Sequence, residues 1–132
     1  MAVQSDAVPF SAARALRSAA WFGAAGLALS VVKLTTGIGI GCPWRHLTGT
    51  LCPLCGATTM GTRLLTGDLA GAWASNPFVM VLLGLGGLAA VAWTVELAGG
   101  PALRPPPALR APALWWSLLG GAALAFAIWR NL

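Results

Sequence analysis

Three stretches of this chain are long enough and apolar enough to cross a bilayer, and they leave little room for any other fold. Residues 18–41, SAAWFGAAGLALSVVKLTTGIGIG, carry one charge, Lys33, and residues 77–98, PFVMVLLGLGGLAAVAWTVELA, carry only Glu96 near their end. Residues 113–129, ALWWSLLGGAALAFAIW, carry none. A hydrocarbon layer of roughly 30 Å takes about 20 helical residues at about 1.5 Å each, with a lower limit near 17. Backbone N–H and C=O groups find no water there, so each stretch must satisfy its own hydrogen bonds as an α-helix. The third stretch is the shortest, but tryptophans at both ends mark it as anchored at two interfaces. The sequence predicts an all-α membrane protein with three transmembrane helices.

Composition supports this reading: 58% of residues are apolar and 8% charged, where a soluble domain carries about 25% charge. Three acids face eight Lys and Arg, and the net charge of +5 is scattered along the chain. No basic patch could track phosphates, which argues against nucleic acid as a partner. Phospholipid headgroups are the expected contact for the arginines, and the lipid bilayer the expected surroundings.

The polar remainder falls into three pieces. Residues 1–17 contain Pro9, Arg14 and Arg17 and read as a mobile tail leading into the membrane, with a single membrane domain over 18–132. Residues 99–112 hold five prolines and read as a stiff connector between the second and third spans. Residues 42–76 are too polar for lipid and suggest one or two short interfacial amphipathic helices. With the N-terminus cytoplasmic, Arg14, Arg17, Arg104 and Arg110 lie inside while Arg45, Arg63 and Arg130 face out. The expected location is the inner or plasma membrane, multi-pass, with residues 42–76 extracytoplasmic. Lys33 lies near the outer end of the first span, where its stem can stay in lipid and its ammonium reach headgroups. Small residues four apart, Ala19 with Gly23, Gly86 with Ala90 and Gly121 with Ala125, let helix backbones approach closely within a bundle or against another subunit.

All three cysteines and the one histidine sit in CPWRHLTGTLCPLCG, residues 42–56. Cys52-Pro53-Leu54-Cys55-Gly56 reads as a helix start, Pro53 at the first position, where the missing N–H costs nothing. Gly67 can end that helix in a left-handed cap, Asp68 can start another, and Asn76-Pro77 opens the second span. Three chemistries fit the cysteines. A C-x-x-C pair at a helix N-terminus lowers the thiol pKa of its first member, as in dithiol oxidoreductases, with Cys52 attacking and Cys55 or Cys42 resolving. Cys42, His46, Cys52 and Cys55 could supply a tetrahedral zinc site. On an oxidising face, Cys42 could simply be tied to Cys52 or Cys55, leaving one thiol over.

The plain readings weigh against these. No thioredoxin-like strand pattern surrounds the C-x-x-C, a lone histidine beside Arg45 is more often solvated, and Asp68 and Asn76 are economical helix caps. The cofactor expectation is therefore zinc or none. Asp68 and Glu96, the only acids beyond the tail, fall at opposite faces and cannot form a catalytic pair. An enzyme is not the favoured reading; if there is one, it is a thiol-disulfide oxidoreductase at Cys52 and Cys55.

The run CPWRHLTGTLCPLCGATT followed by LLTGDLAGAWASNP resembles a bacterial integral membrane protein family known as domain of unknown function 2752, over about residues 40–95. The positions that carry the resemblance are Cys42, Pro43, Thr48, Gly49, Cys52, Pro53, Cys55, Gly56, Thr58, Gly67, Asp68, Asn76 and Pro77. Two departures stand out. Thr59 replaces the family's arginine, although Arg63 lies one turn later and could reach a similar place, and His46 falls where the family fixes no residue. The resemblance implies a membrane fold with a cysteine-bearing loop and no established activity. The favoured expectation is a small subunit or accessory factor of a membrane complex, with a membrane-protein partner or a second copy of itself, capped by a disulfide or a metal. The alternative is a membrane thiol-redox or metal-handling protein, and a transporter of small molecules or lipids is remote, since three spans are few for an alternating-access repeat.

Overall fold

The computed structural model of the protein describes residues 9–132 and is helical throughout, with no strand among the described residues. Helix α1 (Ala12–Thr36) is followed by three short helices, α2 (Pro43–Thr48), α3 (Ala57–Leu65) and α4 (Leu69–Ser75). Then come α5 (Pro77–Leu97), a single 3-10 turn at Pro107–Leu109, and α6 (Pro112–Asn131). Helices α1, α5 and α6 are each long and apolar enough to cross a membrane.

The boundaries follow local chemistry. Ser11 caps α1, its hydroxyl accepting the Arg14 N–H, so the helix takes in Arg14 and Arg17 and starts six residues before the apolar stretch does. Of the expected tail, residues 1–8 lie outside the described residues. Gly37 stops α1 at φ +72°, where the left-handed region favours glycine, so residues 38–41 are not part of the span. Asn76 opens α5 with its side chain on the Val79 N–H and Pro77 in the first turn.

Two rims result. At one, the end of α1, the short helices, the start of α5 and the end of α6 come together. At the other, Phe10 packs on Trp93 with ring centroids 5.9 Å apart, the Arg104 guanidinium lies 4.8 Å from the Phe10 centroid, and Arg104 pairs with Glu96 at 2.7 Å. The spans therefore run alternately up, down and up. Lys33 belongs to the first rim, so four basic residues stand there (Lys33, Arg45, Arg63, Arg130) and four at the other (Arg14, Arg17, Arg104, Arg110).

Helices α1, α3, α4 and α5 form the packed part of the molecule. Buried Ser30 on α1 faces Gly61 on α3, where any Cβ would collide with the serine hydroxyl, and buried Met60 lies beside it in sequence on the same short helix. Helix α6 attaches near its end, through Phe126 stacked on Phe78 at 5.4 Å and through Arg130 and Asn131. The glycine of each small-residue pair packs against nothing inside the chain. No atom lies within 4 Å of the position a Cβ would take at Gly23, Gly86 or Gly121, so the expectation that these residues pack the three spans on one another is corrected.

Candidate functional site: a three-cysteine cap

The cysteine segment is held by its backbone rather than by a core. Asn76, with no exposed surface, donates from Nδ2 to the carbonyls of Pro53 at 2.9 Å and Cys55 at 3.0 Å, while its Oδ1 accepts the Val79 N–H at 3.0 Å. Arg130 donates to the Cys55 carbonyl at 2.7 Å and to the Ser75 carbonyl at 3.4 Å. Asn131 takes both backbone groups of Leu51, accepting its N–H and donating to its carbonyl, each at 2.9 Å. One asparagine from the start of α5 and two residues from the end of α6 thus grip residues 51–55 from two sides.

That grip corrects the expected helix start at Cys52. Residues 53–56 form turns, with Cys55 N–H on the Cys52 carbonyl at 3.1 Å and Ala57 N–H on the Leu54 carbonyl at 3.1 Å, and α3 begins only at Ala57. The Pro53 and Cys55 carbonyls go to Asn76 and Arg130, and Gly56 at φ +89° redirects the chain. Only glycine fits there: a Cβ would lie 2.6 Å from the Ser75 carbonyl oxygen as well as in the left-handed region. The proline-first helix instead starts at Cys42-Pro43, and α2, ended by Gly49 at φ +73°, brings the number of short helices to three. Thr48 bonds the Trp44 carbonyl at 2.7 Å and the Thr50 hydroxyl at 2.8 Å, closing the turn that leads to Cys52.

The three sulfurs converge. Cys42 Sγ and Cys55 Sγ each lie 3.2 Å from Cys52 Sγ, and all three fall within 4.8 Å of one another. Cys55 is buried, Cys42 and Cys52 half-buried. The backbone N–H of Arg45 and the Cys52 thiol point at Cys42 and lower its pKa from 9.0 to about 7. Burial, then the neighbouring sulfurs of Cys42 and Cys55, raise Cys52 to about 11. The sequence reading gave the attacking role to Cys52; in the structure the hydrogen bonds favour ionisation at Cys42, while burial favours the protonated thiol at Cys52.

The other residues singled out from the sequence play different parts. His46 is not in the sulfur cluster; its Nε2 lies 3.1 Å from where a Cβ of Gly41, the residue before Cys42, would be. Asp68 caps α4 on the Gly71 N–H at 2.8 Å and pairs with Arg63 at 3.0 Å. Arg63 is thereby held at α4. The cation that meets Thr59 is Lys33, whose ammonium donates to the Thr59 hydroxyl rather than to headgroups. Thr58 is half-buried on α3. The sequence reading missed Arg130 and Asn131 as cap residues; the signal was a polar pair directly after the last apolar turn of α6.

Fold and site together define a small helical protein with three helices long and apolar enough to cross a membrane and a clamped cysteine cap at one rim. Residues 42–90 match the model of the family described as a protein of unknown function (DUF2752), which bears out the resemblance drawn from the cysteine motif. The matched segment takes in the cap and most of α5, while Lys33, Arg130 and Asn131 lie outside it. Neither the curated proteins nor the solved structures contain a match to the chain.

Proposed function

We propose that the protein is a small accessory subunit of a membrane complex, its cysteine cap a preassembled structural head and its glycine-bearing helix faces the surface that meets another membrane protein. The observation that carries this reading is the open space at Gly23, Gly86 and Gly121. Small residues four apart favour close helix approach in lipid, and here the chain leaves the glycine of each pair uncovered. The cap supports the same reading, because its backbone is pinned by Asn76, Arg130 and Asn131 instead of being left free to open.

The cap is proposed to face the extracytoplasmic side. Basic residues number four at each rim, but at the cap Lys33, Arg63 and Arg130 are engaged by Thr59, Asp68 and backbone carbonyls. At the opposite rim Arg14 and Arg17 form no ion pair among the described residues, and they are available to cytoplasmic headgroups. Labelling of Cys42 by a membrane-impermeant thiol reagent in intact cells tests this side; labelling only in inverted vesicles would reverse the orientation.

The subunit reading is tested by purification in mild detergent. The wild-type chain should bring a stoichiometric membrane partner or a second copy, and Gly86→Leu or Gly121→Leu should lose it while the variant chain still accumulates in the membrane. A chain that purifies alone and monomeric overturns the reading. The thiol-redox alternative draws on Cys42, the more acidic thiol, beside Cys52; it requires Cys52→Ser to accumulate mixed disulfides through Cys42.

A further inference from the structure

We propose that Cys42, Cys52 and Cys55 form a three-thiolate site for copper(I). The inference rests on reading residues 42–56 as a preassembled cap, and it assigns that cap a ligand. Three observations lead to it. The donor set is sulfur alone, the choice of soft cations. The sulfurs are already gathered: a metal–sulfur distance of about 2.3 Å places three sulfurs about 3.8–4.0 Å apart, and the present spacings of 3.2 Å and up to 4.8 Å bracket that value. An iron–sulfur cluster, which spreads its cysteines over several iron atoms, needs a wider frame.

The third observation separates copper(I) from zinc. Zinc in a structural site takes four protein ligands, and no fourth donor joins the cluster among the described residues. His46, whose Nε2 lies beside Gly41, is not among the donors gathered with the sulfurs, Asp68 is used by Arg63 and the Gly71 N–H, and Glu96 is at the other rim with Arg104. Copper(I) is saturated by three thiolates. Loading changes no oxidation state: three Cu–S bonds form, the proton of each sulfur still in its thiol form leaves to solvent as its S–H bond breaks, and the copper stays monovalent. Arg130, bonded to the Cys55 carbonyl, places positive charge next to the anionic centre that results. Half-buried Cys42 and Cys52 leave a path for the ion, and buried Cys55 forms the floor.

The test uses the full chain in detergent micelles, reduced and free of oxygen, titrated with copper(I) buffered by bathocuproine disulfonate. The expected result is one copper per chain, with X-ray absorption showing three sulfurs and no nitrogen, and His46→Ala unchanged. Each of Cys42→Ser, Cys52→Ser and Cys55→Ser should weaken binding by at least about tenfold. Should a serine variant fail to fold, the wild-type stoichiometry and sulfur count still decide. Substoichiometric copper, a nitrogen in the shell, or displacement by equimolar zinc would overturn the proposal. Copper binding is read on the isolated chain and the subunit role on what purifies with it, so the failure of either is seen separately.

Discussion

Asn131 holds Leu51 by both of its backbone groups, two hydrogen bonds of 2.9 Å between residues 80 positions apart. The pairing imitates a strand neighbour, and the same Nδ2 also bonds the Ala127 carbonyl at 2.8 Å, which ties the asparagine to its own helix. Since α6 otherwise meets the packed helices mainly through Phe126, this clasp and Arg130 couple the third span to the cysteine cap.

Asn131→Ala should therefore loosen the cap without unfolding the spans. The bonds lie on an exposed residue, so the loss is at the low end for hydrogen bonds, about 1 kcal/mol in all. Alkylation of Cys55 under native conditions should speed up by about fivefold, while the helical circular dichroism signal stays unchanged. Unaltered Cys55 protection would mean the clasp contributes nothing to cap order.

Asn76 is the costlier position. Asn76→Ala leaves the Pro53 and Cys55 carbonyls and the Val79 N–H without their partner in a site with no exposed surface, which is expected to cost about 3 kcal/mol or more. Asn76→Asp keeps the acceptor for Val79 but loses both donations, and should recover only part of that. Thermal midpoints of the three proteins in the same detergent rank them; equal midpoints would remove Asn76 from the account.

These two residues also show what could be read from the chain beforehand. The spans were legible because lipid demands long uncharged stretches, and Asn76-Pro77 was legible as a cap because capping is local. The helix assigned to Cys52-Pro53 failed because its carbonyls are taken by Asn76 and Arg130, partners that lie 21 or more residues away. Helix α2 escaped notice because six residues carry too little periodicity to register. Likewise the convergence of Cys42 on the C-x-x-C pair depends on how Gly49 and the Thr48–Thr50 contact turn the chain, a matter of tertiary placement that spacing alone left open as disulfide, metal or free thiols.

The acidities of the cysteines can be read by alkylation. Thiolate is the reactive form, so the rate at a cysteine rises as pH climbs through its pKa. Cys42, lowered to about 7, should reach half its maximal iodoacetamide rate near that pH, whereas Cys52, raised to about 11, should stay unmodified throughout the neutral range. The same signs apply to folding. The depressed Cys42 stabilises the folded state above the unfolded thiol value of 9.0, a contribution lost as pH falls through 7; the raised Cys52 contributes below 9.0, lost as pH rises through 11. Peptide mapping after labelling at graded pH separates the two, and faster labelling of Cys52 than Cys42 at pH 7 would invert the assignment.

Lys33 and Thr59 give the last test, on the other side of the cap. The family resemblance implies an arginine where this chain has Thr59, and the structure brings the Lys33 ammonium of α1 onto the Thr59 hydroxyl. One positive charge thus reaches that spot from a neighbouring helix instead of from α3 itself. Thr59→Arg alone crowds two cations at a partly buried contact and should destabilise the protein by about 1–2 kcal/mol. Lys33→Ala alone removes the cation and leaves the threonine hydroxyl without its donor, a loss of about 1 kcal/mol. The double variant has one cation again, supplied from position 59, and should be more stable than the sum of the single changes predicts by about 1–2 kcal/mol. Unfolding midpoints of the four proteins close the cycle; strict additivity would show that the two positions do not share a charge site.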